Sequence, residues 1–168
     1  MAYTVWMDGA KIGETGLELH HGSRKRAGIF HPTEFGLTVL PGITAMAPAL
    51  LDTGRTCRER GIDTEDENLD IDSVIDEVFE TTSGQRVLAA ARQIARLEVR
   101  SPSGELMPWK SILITDMNEL AAMAADTESP ALTPIALSEL PPIRYFISAT
   151  FRNASFAAGL RARGQRMS

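Results

Sequence analysis

Cysteine is nearly absent from this chain. Cys57 stands alone among 168 residues, which excludes an internal disulfide and fits a reducing compartment. Aromatic residues are sparse at 6%, and seven methionines point to a core filled by flexible aliphatic groups. The amino terminus shows no charged segment followed by a long apolar run, and no stretch approaches the roughly 18 apolar residues of a membrane span. The expectation is a cytoplasmic protein without a membrane segment. Catalytic signatures are missing as well. There is no Gly-x-Ser-x-Gly elbow, no His-Glu-x-x-His pair, no Cys-x-x-Cys and no Gly-x-x-x-x-Gly-Lys phosphate loop.

What is present is an ordinary globular composition, 43% apolar and 23% charged. A chain of about 150 residues buries roughly 70% of the surface its unfolded form exposes, so one well-built core is within reach. The net charge of −5 argues against generic nucleic-acid binding, but the charges are segregated. Between Gly61 and Glu80 lie nine acids and no base: Asp63, Glu65, Asp66, Glu67, Asp70, Asp72, Asp76, Glu77 and Glu80. After Glu139 come Arg144, Arg152, Arg161, Arg163 and Arg166 with no acid at all. Such poles steer partners or pair copies head to tail, although an acid run is also the composition of a solvated face.

Residues 3–8 alternate, and Asp8-Gly9 suits a two-residue hairpin turn leading into a second strand from Ala10 to about His20. That register sets Met7 against Ala10 and Val5 against Ile12. Gly13 and Gly16 predict a bulge or a close backbone approach. "FGLTVL" at 35–40 alternates at period two and reads as a strand stopped by Pro41-Gly42. From Thr44 to Arg60 the pattern is helical, with Thr44 as N-cap, Pro48 in the first turn, Gly61 as C-terminal cap and Cys57 on the apolar stripe as a small core residue. Helices follow at about 72–80 and from Ser83 or Gly84 to Arg96, the latter with Arg86, Arg92 and Arg96 toward solvent. Then comes a hairpin from Leu97 through "SPSG" to "ILIT" at 112–115, and a short helix capped by Asp116 and Glu119. Residues 127–142 contain four prolines and read as a loop; "IRYFISATF" at 143–151 is the strongest strand signal and suits a mid-sheet position. Trp6 and Trp109 each sit beside a hairpin, which favours core packing. The prediction is a single α+β domain over 1–152, a mainly antiparallel sheet built from hairpins with two to four helices packed on it. Residues 153–168 form a basic tail, partly helical or disordered.

Two stretches invite a metal reading. All three histidines fall in "ELHHGSRKRAGIFHP" at 18–32. His20 and His21 are adjacent, so on a strand they point to opposite faces. A site would need His31 to close across the 22–30 loop with Glu18 or Glu34. Gly22, Ser23 and Gly28 around Arg24-Lys25-Arg26 instead have the composition of an exposed connection, one that suits an acidic partner. In the acidic tract, Asp66, Asn68, Asp70 and Glu77 match oxygen-ligand positions of a calcium loop, yet Ile71 stands where the loop needs glycine. Capping of a helix by Asp72 or Ser73 explains the same residues without a metal.

The leading functional expectation is a non-enzymatic protein-binding module of the inhibitor, immunity or adaptor type, alone or as a homo-oligomer, with no cofactor and no metal. Its candidate contacts are Asp63, Glu65, Asp66, Glu67 and Asp70, facing a basic surface, and Arg161, Arg163 and Arg166 as a second contact. The alternative is a small enzyme or ligand binder with a pocket holding His20, His21 or His31. The third reading is nucleic-acid binding through Arg24-Lys25-Arg26 and the arginine tail.

Overall fold

Asp8 and Gly9 take φ of 50° and 83°, the doubly positive turn that lets two strands of right-handed twist fold tightly on each other. β1 (Tyr3–Met7) and β2 (Ala10–Thr15) flank it, with Met7 opposite Ala10 as expected. The expected Val5–Ile12 pair is not formed. A register shift after Val5 sets that residue against Gly13 and Trp6 against Lys11, so Ile12 is the bulged residue. Both Val5 and Ile12 are nonetheless fully buried. The computed structural model describes residues 2–22, 24–63, 65, 67–126 and 144–152.

β3 (Leu19–His21) continues β2 beyond an irregular stretch in which Leu17 takes φ 49°, and β4 (Lys25–Pro32) runs back along both. β5 (Leu97–Arg100) pairs with β1 on one side and with the short β6 (Leu106–Met107) on the other. β7 (Trp109–Asp116) and β8 (Tyr145–Phe151) form an antiparallel pair, and β8 lies between β7 and β4. The antiparallel order is β6-β5-β1-β2-β4-β8-β7, with β3 beside β4. The two ends of this order are adjacent in sequence, separated only by Pro108. Residues 106–116 therefore span both edges, and the sheet curls into a nearly closed barrel. The Trp109 indole donates to the Leu97 carbonyl at 2.9 Å, bringing β7 alongside β5 where the barrel closes. Trp109 thus packs on the core as expected. Trp6 points the other way from Val5 and Met7, half-buried, with the Arg100 guanidinium 4.4 Å above its ring.

The stretch expected as a strand at 35–40 is helical. α1 (Glu34–Thr44) starts at Thr33, whose Oγ1 accepts from the Gly36 N–H and donates to the Lys11 carbonyl, while its own N–H bonds to the Ile12 carbonyl. The side-chain cap satisfies an orphan donor and fastens the helix to β2. Gly36 is required at that junction because a Cβ would strike the Ile12 carbonyl. Buried Gly36, Leu40, Ile43 and Thr44 follow helical spacing, while Phe35 and Leu37, the apparent apolar face of a strand, are 46% and 49% exposed.

α2 (Met46–Glu59) follows through the single αR residue Ala45, so Thr44 is no N-cap; it is buried, its hydroxyl bonded to the Leu40 carbonyl. The end of α2 matches expectation. Gly61 takes φ 71°, its N–H bonds to the Arg58 carbonyl, and the Ile62 N–H bonds to the Cys57 carbonyl, a Schellman closure. Cys57 is buried. The continuous stretch Glu34–Glu59 is, by length and composition, apolar enough to cross a membrane, which corrects the expectation that no segment approaches that limit. A third of its most apolar window is buried, against β2, β7 and α4 among others.

α3 (Ile71–Phe79) and α4 (Thr82–Ile94) pack on α2, and α5 (Met117–Asp126) starts where the Asp116 carboxylate accepts from the Asn118 N–H. With α1 and α2 joined, the described helices form four stretches on an eight-stranded sheet, the expected α+β arrangement. Phe30, Phe151, Ile114, Ile147 and Val99 from the barrel meet Leu40, Ile43 and Ile94 from the helices in one core. The loop expected at 127–142 and the tail at 153–168 lie outside the described residues.

Candidate functional site

α3 turns one apolar edge inward and an acidic ridge outward. Val78 is buried and Val74 half-buried, which orients the helix so that Asp72, Asp76 and Glu80, four residues apart, project together and are exposed. Beside the ridge, Ile75 is 39% exposed and Phe79 half-buried. On the opposite flank the Glu77 carboxylate accepts from Arg60 at 3.0 Å, tying α3 to the end of α2. Asp72, Asp76 and Glu80 have no ion pair among the described residues.

The segment before α3 adds Asp63, Glu65, Glu67 and Asp70, all exposed. The Asp63 carboxylate accepts from the Glu65 N–H at 3.0 Å, a local turn in the segment leading to α3. The N-cap is Asp70 rather than Asp72 or Ser73. Its backbone is extended, and its carboxylate accepts from the Ser73 hydroxyl at 2.7 Å. That hydroxyl, and then the Ser73 N–H, hold the Asp70 carboxyl below its ordinary value. Negative charge here meets the positive end of the α3 dipole.

Four of the eight sequence-predicted contact residues, Asp63, Glu65, Glu67 and Asp70, are thus exposed in the segment leading into α3. Asp66, Arg161, Arg163 and Arg166 lie outside the described residues. Asp72, Asp76 and Glu80 belonged to the acid run expected to meet a basic surface but were not singled out as a ridge, although their spacing of four was readable in the sequence. The exposure of Ile75 was not readable, since isoleucine on an amphipathic helix is read as core.

The histidines lie on two paired strands, His20 and His21 on β3 and His31 on β4. His20 lies opposite Arg26 and His31 opposite Glu14. Arg26 and His31 are five residues apart on β4, so the two histidines are separated by about 16 Å along the sheet. Among the described residues no three His, Cys, Asp or Glu side chains are grouped to hold a metal. A shallow polar groove of about 520 Å³ lies elsewhere, between α2 and the start of α4. It is lined by Asp52, Thr56, Arg60, Glu80, Arg86 and the Thr81–Ser83 turn. Its two arginines face two carboxylates, Arg86 standing 4.0 Å from Asp52, so it offers no net charge to a small ion. The Thr81 hydroxyl is engaged as the α4 N-cap, accepting from the Gly84 N–H. Arg60 lines this groove and also grips Glu77, which makes the groove the shoulder of the acidic ridge.

No family model, no curated protein and no solved structure matches the chain.

Proposed function

We propose that the chain is a non-enzymatic cytoplasmic module that binds another protein, in the manner of an inhibitor, immunity-type or adaptor protein, and that α3 is its contact element. The observation supporting this reading is the ridge of Asp72, Asp76 and Glu80 with Ile75 exposed at its side. Exposed acids at helical spacing gain little within the fold, since surface ion pairs are worth about 0–1 kcal/mol even when formed. They raise the local concentration of a basic partner and accelerate encounter, while an adjoining apolar side chain supplies area that excludes water once the surfaces meet. Asp63, Glu65, Glu67 and Asp70 widen the acidic field.

The test compares the tagged wild-type chain with a D72K/D76K/E80K variant, both purified gently at low salt from native cells. The reading expects a stoichiometric polypeptide with the wild type, lost from the variant and retained by E105K, a reversal at an exposed glutamate on the β5–β6 turn. Equal recovery by all three chains, or recovery of the wild-type chain alone or only with itself, counts against it.

A further inference from the structure

The basic hairpin tip presents a strand edge that no described strand covers, and we propose that this edge binds an extended acidic peptide segment by strand addition. β1 covers β2 only as far as the Tyr3–Thr15 pair, so from Gly16 to His21 no described strand lies on the outer side. Among the described residues β3 is bonded on its inner side alone, to β4. The direction of its peptide groups follows from the ladder. The Phe151 N–H bonds to the Arg24 carbonyl, so Arg24 faces β8, and by alternation Lys25 and Ala27 face β3. Their partners His21 and Leu19 are thereby engaged, and His20 directs its N–H and C=O to the open edge. Leu19 is 51% exposed on the same short strand.

Charge selects the occupant. From Leu19 to Thr33 the chain carries Arg24, Lys25 and Arg26 and no acid. Arg24 and Lys25 are exposed and have no ion pair among the described residues. Arg26 is half-buried and donates to the Tyr3 hydroxyl at 3.0 Å, which anchors the strand beneath the tip. The nearest acid in sequence, Glu18, lies over Gly16 and Gly28. A docked strand that bonds to His20 places alternate side chains beside this cationic tip, and acidic residues there are attracted where basic ones are repelled. Strand addition supplies main-chain bonds for affinity and leaves specificity to the alternate side chains. The irregular backbone at 16–18 limits regular pairing to about three residues, so the ligand is a short motif. The surface is separate from the α3 ridge and of opposite charge, and the inference does not depend on the ridge.

The experiment uses the full chain and a fluorescent octapeptide alternating glutamate with valine, read by anisotropy at low salt. The result expected is binding that weakens about tenfold on N-methylation of alternate peptide nitrogens, and by at least as much in the R24E/K25E variant. It is unaffected in the D72K/D76K/E80K variant, and the His20 amide gains protection from hydrogen exchange on peptide addition. Absence of binding overturns the proposal. So does binding that ignores N-methylation, or that a single-stranded oligonucleotide of equal charge reproduces, because the tip is then a cationic patch that reads charge alone.

Discussion

Gly36 and Gly54 are both helical glycines in opposite surroundings. A side chain on Gly36 would strike the Ile12 carbonyl, because Thr33 draws α1 against β2, whereas Gly54 on α2 has nothing within 4 Å. Ile114 and Ile75 differ in the same way, the first fully buried in the barrel and the second 39% exposed on α3. Where the barrel meets α1, backbones touch and side chains interlock, so each residue is fixed by its neighbours. On the outer side of α2 and α3 the exposed side chains are free of packing constraints. A surface without a packing role can be shaped by recognition alone, and that side carries the acidic ridge.

The contrast breaks if equivalent changes on the two sides have equal effects. The largest difference is expected for isoleucine truncation: Ile114→Ala lowers unfolding free energy by about 2–5 kcal/mol, through lost transfer energy and the cavity left behind. Ile75→Ala changes it by no more than about 0.5 kcal/mol while weakening partner binding. Denaturant midpoints measure the first two quantities, and a binding isotherm the third. Next, alanine at the two glycines acts with opposite sign. Gly36→Ala costs about 1–3 kcal/mol through overpacking, and Gly54→Ala gains roughly 0.5–1 kcal/mol by restricting the unfolded chain. Smaller again, Thr33→Ala removes the α1 cap and its bond to Lys11, a loss of about 1 kcal/mol in the same unfolding assay.

The smallest effect concerns Asp70. Its folded carboxyl lies below the ordinary value of 3.8 because of Ser73, so its contribution to stability is present above that value and fades as pH falls through the folded one. Ser73→Ala is expected to move the Asp70 titration back toward 3.8, followed by carboxyl chemical shifts, and the stability difference between the two chains is expected to vanish at the acid end. An unmoved titration would show that the Ser73 hydroxyl does not hold the carboxylate.

Local chemistry was legible in the sequence wherever a single residue type decides the conformation. Asp8-Gly9 announced its turn, Gly61 its helix end, Asp116 its cap, and the apolar run ending at Phe151 its place between two strands. The α1 error has a physical cause. Phe35, Leu37 and Val39 alternate as a strand would, but the Thr33 bond to Lys11, 22 residues away, and the Gly36 contact with Ile12 are tertiary and outweigh local pattern. The break in β2 was legible in Gly13, where the ladder shifts and a Cβ would strike Phe30, but the lost Val5–Ile12 pair and the closure through Pro108 escaped for the same reason as α1, since both are set by pairing between distant segments. At the candidate site, the exposure of the acids followed from their composition. Their alignment followed from helix period once the inward edge was known, and Val78 fixed that edge only through contact with its neighbours.

The measurement that bears most directly on the account is the association rate of the chain with its captured partner as a function of salt, for the wild type and for D72K/D76K/E80K. The account predicts a wild-type rate that falls steeply as salt rises, and a variant rate at low salt lower by about tenfold or more, with a flatter salt dependence. Two superimposed curves would contradict it, and would return the acidic face of α3 to the role of a solvated surface.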